Sequence, residues 1–152
     1  MRWNAAQARA RFAAERVARL ATADAAGRPH LVPVVFATGA DGDGDTVVIA
    51  VDRKPKRTRE LKRLANIAEN PRVCLLADAY DDDWDRLWWC RADGEAEVVR
   101  SGPRRAAALR LLARRYQHYV EDPPDGPVIL VHVTRWSGWS ARPPGGDLPE
   151  AD

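Results

Sequence analysis

Lysine is nearly missing from this chain: of 24 basic residues only three are lysines, Lys54, Lys56 and Lys62. Cysteine is as scarce. Cys74 and Cys90 are the only two, and they stand in neither a C-x-x-C nor a metal-ligand spacing, so they read as reduced core residues on two strand-like segments. No run approaches the ~20 apolar residues of a membrane helix, and the first twelve residues lack the apolar region of a signal peptide. A cytoplasmic protein with no membrane partner is expected. Charge excess is missing too. With 24 basic and 22 acidic residues the net charge is +2, so no global field favours nucleic acid, and electrostatic function must be local. No G-x-G-x-x-G or P-loop pattern and no internal repeat appears. His30, His118 and His132 are scattered without metal-ligand spacing, and no Ser/His/Asp or Cys/His set is recognisable. Any chemistry here must come from a cofactor.

What is present is concentrated. The lysines lie inside Arg53-Lys-Pro-Lys-Arg-Thr-Arg-Glu-Leu-Lys-Arg63, which carries seven positive charges against one negative. This run sits between a strand-like segment, 46–51, and a helix-like segment starting at Arg57 or Thr58. The first N–H groups of a helix lack intrahelical partners and its dipole adds positive charge, so cations gathered there are unfavourable unless an anion offsets them. Lys54, Lys56, Arg57 and Thr58 are therefore the candidate phosphate contacts, the alternative offset being Asp52 or Glu60 as internal counter-charges. Lys62 and Arg63, a turn further on, are expected to be solvated. An acidic run, Asp78-Ala-Tyr-Asp-Asp-Asp-Trp-Asp85, answers the basic one; its consecutive carboxylates point different ways and offer no metal loop.

The remaining pattern is α+β. Residues 5–15 read as a helix capped by Asn4. Segments 17–22, 29–38 and 46–51 form a meander of strands joined by turns at 23–27 and 39–45. A helix follows to Glu69, with Leu61, Leu64, Ala65 and Ala68 as its apolar stripe, and Asn70-Pro71 stops it. Residues 72–77 and 86–100 read as strands, the second with a bulge or bend at Gly94. A third helix over 103–118 presents Ala107, Leu111, Leu112 and Tyr116, and a last strand covers 127–136. Six strands and three flanking helices suggest an antiparallel barrel over residues 1–142, followed by a tail, 143–152, of disordered composition.

Tryptophan is the second signal, at Trp84, Trp88, Trp89, Trp136 and Trp139. Adjacent Trp88 and Trp89 point to opposite faces of a strand, so one fills the interior while the other meets a cofactor, a partner subunit or solvent. Pro33, which removes a ladder donor within Leu31-Val-Pro-Val-Val-Phe36, marks an edge, a bulge or a ligand contact.

Several stretches, among them Arg19-Leu-Ala-Thr, Gly27-Arg-Pro-His-Leu-Val-Pro-Val, Val51-Asp-Arg-Lys-Pro-Lys, Asn70-Pro-Arg-Val, Tyr80-Asp-Asp-Asp-Trp, Leu87-Trp-Trp-Cys-Arg and Arg135-Trp-Ser-Gly-Trp, resemble the pyridoxamine-phosphate-oxidase-like split-barrel proteins. The branch they resemble most is the one described as probable F420-dependent enzymes. The resemblance implies a homodimer of six-stranded, FMN-binding-type split barrels with a flavin or deazaflavin in a groove at the interface. It places phosphate contacts on Lys54, Lys56, Arg57 and Thr58, the strand lining the ring on Val32, Pro33, Val34 and Val35, and interface aromatics on Trp88 or Trp89 and on Trp136 and Trp139. The implied activity is hydride transfer between F420 and a conjugated small molecule. An FMN-dependent oxidase and a non-catalytic cofactor- or haem-binding protein are the alternatives, and no nucleic-acid partner is expected.

Overall fold

Asn4 starts the first helix through a reciprocal pair. Its Oδ1 accepts from the Gln7 backbone N–H at 2.8 Å, while Gln7 Oε1 accepts from the Asn4 N–H at 3.0 Å, a capping box. The computed structural model describes residues 1–42, 44–51 and 57–143, with the backbone alone for 57–61. In chain order the elements are β1 (Arg2–Trp3), α1 (Ala5–Ala14), β2 (Val17–Ala23), β3 (Pro29–Val35), β4 (Ala37–Asp41), β5 (Gly44–Ala50), α2 (Arg57–Glu69), β6 (Arg72–Ala79), β7 (Trp88–Val99), α3 (Pro103–Arg115), α4 (Gln117–Glu121) and β8 (Val128–Ser140). The tail expected after residue 142 lies outside the described residues from 144 onward.

One antiparallel sheet runs β3-β2-β6-β7-β8-β5-β4, with β1 added beside β8. The described sheet thus has eight strands and stays open between β3 and β4, which corrects the expected six-stranded barrel. Two local causes account for the extra strands. The run expected as one strand over 29–38 breaks at Phe36, whose ring is fully buried and whose backbone is bound by distant side chains: its carbonyl accepts from Tyr116 Oη at 2.9 Å and from Arg115 at 3.2 Å. The second cause is Arg2 and Trp3 pairing with Trp139 and Gly138, which extends the last strand beyond residue 136. The three expected helices become four, because Tyr116 leaves helical geometry (φ −126, ψ 113) and divides the segment 103–118.

The helix faces also differ from expectation. On α2, Asn66 and Ile67 are buried while Ala65 and Ala68 are exposed, because Asn66 Nδ2 donates to Thr22 Oγ1 at 3.1 Å and turns that face inward. On α3, Ala108 and Leu112 are buried and Ala107 is exposed. The bulge expected at Gly94 is present as a register shift between Asp93 and Gly94; a Cβ there would lie 2.3 Å from the His132 carbonyl.

The larger apolar cluster fills the inner side of the sheet under α1. The Phe12 ring packs tilted against Phe36 at 4.6 Å and Trp136 at 5.3 Å between centroids, and both phenylalanines are fully buried. At the sheet's far side Trp3 closes the interior, with Nε1 donating to Ser140 Oγ at 2.8 Å. Gly138 makes this seat, since a Cβ would come within 2.6 Å of the Trp3 ring. Gly138→Ala should displace Trp3 and cost about 1–3 kcal/mol, lowering Tm by roughly 2–10 °C. A thermal melt followed by tryptophan fluorescence checks this, and an unchanged midpoint would show that β1 does not depend on the missing Cβ.

Candidate functional site

Strand alternation decides which candidate residues can meet a ligand. On β3, Leu31, Pro33 and Val35 point away from the core, whereas Val34 is buried and Val32 packs against the core cluster. Register carries this outer face across the sheet. Val35 pairs with Val17, Pro33 with Arg19 and Leu31 with Ala21; Arg19 in turn pairs with Leu76 and Ala21 with Cys74. Beyond β6, Asp78 pairs with Trp89, and Trp89 with Trp139. Leu31 is 67% exposed, Val17 42%, and Val35 and Leu76 36% each. The helices pack elsewhere: α1 on β7 and β8, α3 on β4, β5 and β8, and α2 on β2 and β7 through the inward side of Asn66 and Ile67. An apolar sheet face left open in this way marks an interaction surface.

Four of the candidate residues, Pro33, Val35, Trp89 and Trp139, therefore share the outer face. Four others do not. Val32 and Val34 face the interior; Trp88 packs inward, 6.0 Å from Trp3 with Arg11 4.3 Å above its ring; and Trp136 lies on Phe12 with Nε1 donating to Asp45 at 2.9 Å. Asp52, Lys54 and Lys56 lie outside the described residues. Arg57 and Thr58 open α2, whose thirteen residues begin soon after β5, and their side chains are likewise outside the description. Lys62 is exposed as expected, but Arg63 is half-buried on the side of α2 that meets the sheet.

Two ion pairs lie on the outer face. Arg19 meets Asp78 at 3.6 Å and Arg91 meets Asp93 at 3.1 Å. Cys74 is not a core residue as expected but half-buried on this face, and burial, helped by Asp93, raises its thiol pKa. Burial pushes the Cys90 thiol up to about 12. Both are thiols at neutral pH, so neither is a ready nucleophile. Sequence reasoning missed Arg19, Leu31 and Leu76, whose placement depends on strand register. It also missed the role of the acidic loop, where Asp81 and Asp83 accept the backbone N–H groups of Asp83 and Asp85 and shape the single 3-10 turn Trp84–Arg86. Among the described residues no cluster of metal-ligating side chains occurs, and no helix is long and apolar enough to cross a membrane.

The architecture has close relatives among solved structures. A conserved hypothetical protein of Mycobacterium tuberculosis superposes with a TM-score of 0.69 at 20% identity, covering 97% of this chain and 95% of that one. A FAD-binding protein of Mesorhizobium loti gives 0.66 at 21% identity, covering 91% and 95%. A heme binding protein of Mycobacterium smegmatis gives 0.62 at 23% identity, covering 93% of this chain and 60% of that one. At these identities the likeness establishes the fold. No curated protein matches significantly. The sequence pattern of pyridoxamine 5'-phosphate oxidase, however, matches residues 5–140, nearly the whole described chain. This chain belongs to the pyridoxamine 5'-phosphate oxidase family of split-barrel proteins.

Proposed function

We propose that this protein is a homodimeric, F420-dependent oxidoreductase of the cytoplasm that acts on a conjugated small molecule. The observation that carries the reading is the open outer face bearing Pro33, Val35, Trp89 and Trp139, on the same chain as a helix that opens at Arg57-Thr58 within a run of seven positive charges. The two features divide one ligand between them. An uncovered apolar face with tryptophans suits a planar ring system, and a basic helix start suits a phosphate and further carboxylates. F420 carries both, and its polyglutamate tail matches a broad basic patch better than the single phosphate of FMN does. The FAD-binding relative of like fold supports a flavin-type ring.

Bound F420 would supply the hydride equivalent. The chain's own part is to hold the anionic tail through Lys54, Lys56, Arg57 and Thr58, to present a dry wall to the ring, and to orient the acceptor. On that face the Cys74 thiol is protonated, and Asp78 and Asp93 are paired to arginines. The heme binding relative keeps a non-catalytic reading in play, and FMN would use the same face.

Titration of the purified protein with oxidised F420, FMN and haem, followed by tryptophan quenching, separates these readings. Saturable quenching by F420 is expected, and Lys56→Ala with Arg57→Ala should weaken it at least tenfold, since each charge-assisted hydrogen bond contributes about 1.5–3 kcal/mol. Tighter binding of FMN or haem, or indifference to the double substitution, would sink the proposal.

A further inference from the structure

A second concavity lies off the outer face, where β6 ends and β7 begins. It is a groove of about 810 Å³, within the range of small-molecule sites. One wall is the aromatic stack of Trp3 and Trp88, with the Arg11 guanidinium above Trp88; Ala79, Tyr80 and Leu87 add apolar surface. Tyr80 is 69% exposed, so its ring is available to a ligand without rearrangement of the core. Arg19 links this groove to the outer face, because its cross-strand neighbour is Pro33.

The arginines of the groove are matched, three by aspartates of its lining and one by Glu15 outside it. Four arginines line it, and each has a carboxylate: Arg19 with Asp78 at 3.6 Å, Arg86 with Asp81 at 3.7 Å, Arg142 with Asp85 at 2.5 Å and Arg11 with Glu15 at 3.4 Å. Close by, Asp82 and Asp83 on the acidic loop outnumber the α-amino group, which donates to the Ser140 carbonyl. Each arginine here already has a carboxylate, in contrast to the basic run at 53–63, where the sequence sets seven positive charges against one negative. A charged ligand must compete with an ion pair that is already made, whereas a neutral planar ligand keeps every pair and gains aromatic and hydrogen-bonding contact.

We propose that this groove binds uncharged, planar aromatic molecules and rejects charged ones of the same shape. As the acceptor's seat it rests on the redox reading; as a binding site it does not. The test uses the full chain without cofactor, so it can fail or succeed independently of F420 binding. Three naphthalenes of equal ring size serve as calorimetric probes: naphthalene-2-carboxamide, naphthalene-2-carboxylate and 2-naphthylmethylammonium. The carboxamide should bind, and both charged probes should bind several-fold more weakly. Tyr80→Ala should weaken the carboxamide several-fold. Asp78→Asn, which leaves Arg19 without its carboxylate, should raise the affinity of the carboxylate relative to the carboxamide about tenfold. Trp88→Ala should abolish binding, and since Tyr80 and Asp78 are surface positions, their variants keep the test valid if Trp88→Ala does not fold. Absence of carboxamide binding, a charged probe that binds as tightly, or an unchanged preference in Asp78→Asn would each overturn the proposal.

Discussion

Phe12→Ala should lower the unfolding free energy by about 3–5 kcal/mol, the range for emptying a buried aromatic site. Phe12 is fully buried and touches both Phe36, at the break between β3 and β4, and Trp136 on β8. Its loss leaves a void that neither neighbour can fill. Phe36 is held by Tyr116 and Arg115 through its carbonyl, and Trp136 by its hydrogen bond to Asp45, which also pairs with Arg9 at 3.1 Å. For a domain whose total stability is of the order of 5–15 kcal/mol, the change is a large fraction. Urea denaturation measures it. Phe12→Leu, which keeps most of the volume, should cost clearly less, and equal costs for the two variants would point to a loss other than the cavity.

That core was only partly legible in the sequence, and the pattern of hits and misses has a physical reason. Features set by neighbours in the chain were readable: the Asn4 cap, the Gly94 bulge, the helix start at residue 103, and the concentration of cations at 53–63. Features set by distant partners were not. The break at Phe36 depends on Tyr116, eighty positions away, and the inward face of α2 depends on the Asn66–Thr22 bond across forty-four. A stripe of alanines is a weak guide to a helix face, because alanine gains little from burial, and one satisfied amide outweighed two methyl groups. The tryptophans show the same limit. Alternation required Trp88 and Trp89 to part, but which one faced inward followed from the pairing of Trp89 with Trp139 and Asp78, information held in the register and not in the local pattern. Pro33 and Val35 were separable from Val32 and Val34 only once the inner face of β3 was known.

The outer face supplies the largest expected effect on binding. On the homodimer reading, Leu31, Val35, Val17 and Leu76 meet their counterparts from the second copy, so a single substitution enters the two-fold interface twice. Leu31→Glu with Val35→Glu would put four carboxylates into an apolar contact, each costing several kcal/mol unless compensated, more than a typical interface can absorb. The expected result is a particle that falls from twice the chain mass of 16.9 kDa to once that mass in light scattering. The protomer should keep its fold and circular dichroism spectrum, because both positions are already exposed in the single chain. F420 affinity should fall by about a hundredfold or more, equivalent to about 2.7 kcal/mol, since the ring loses the wall that the second copy provides. The two readouts separate the causes. A monomer that still binds F420 at full strength would place the ring within one protomer, and an unchanged mass would assign the open face to another partner.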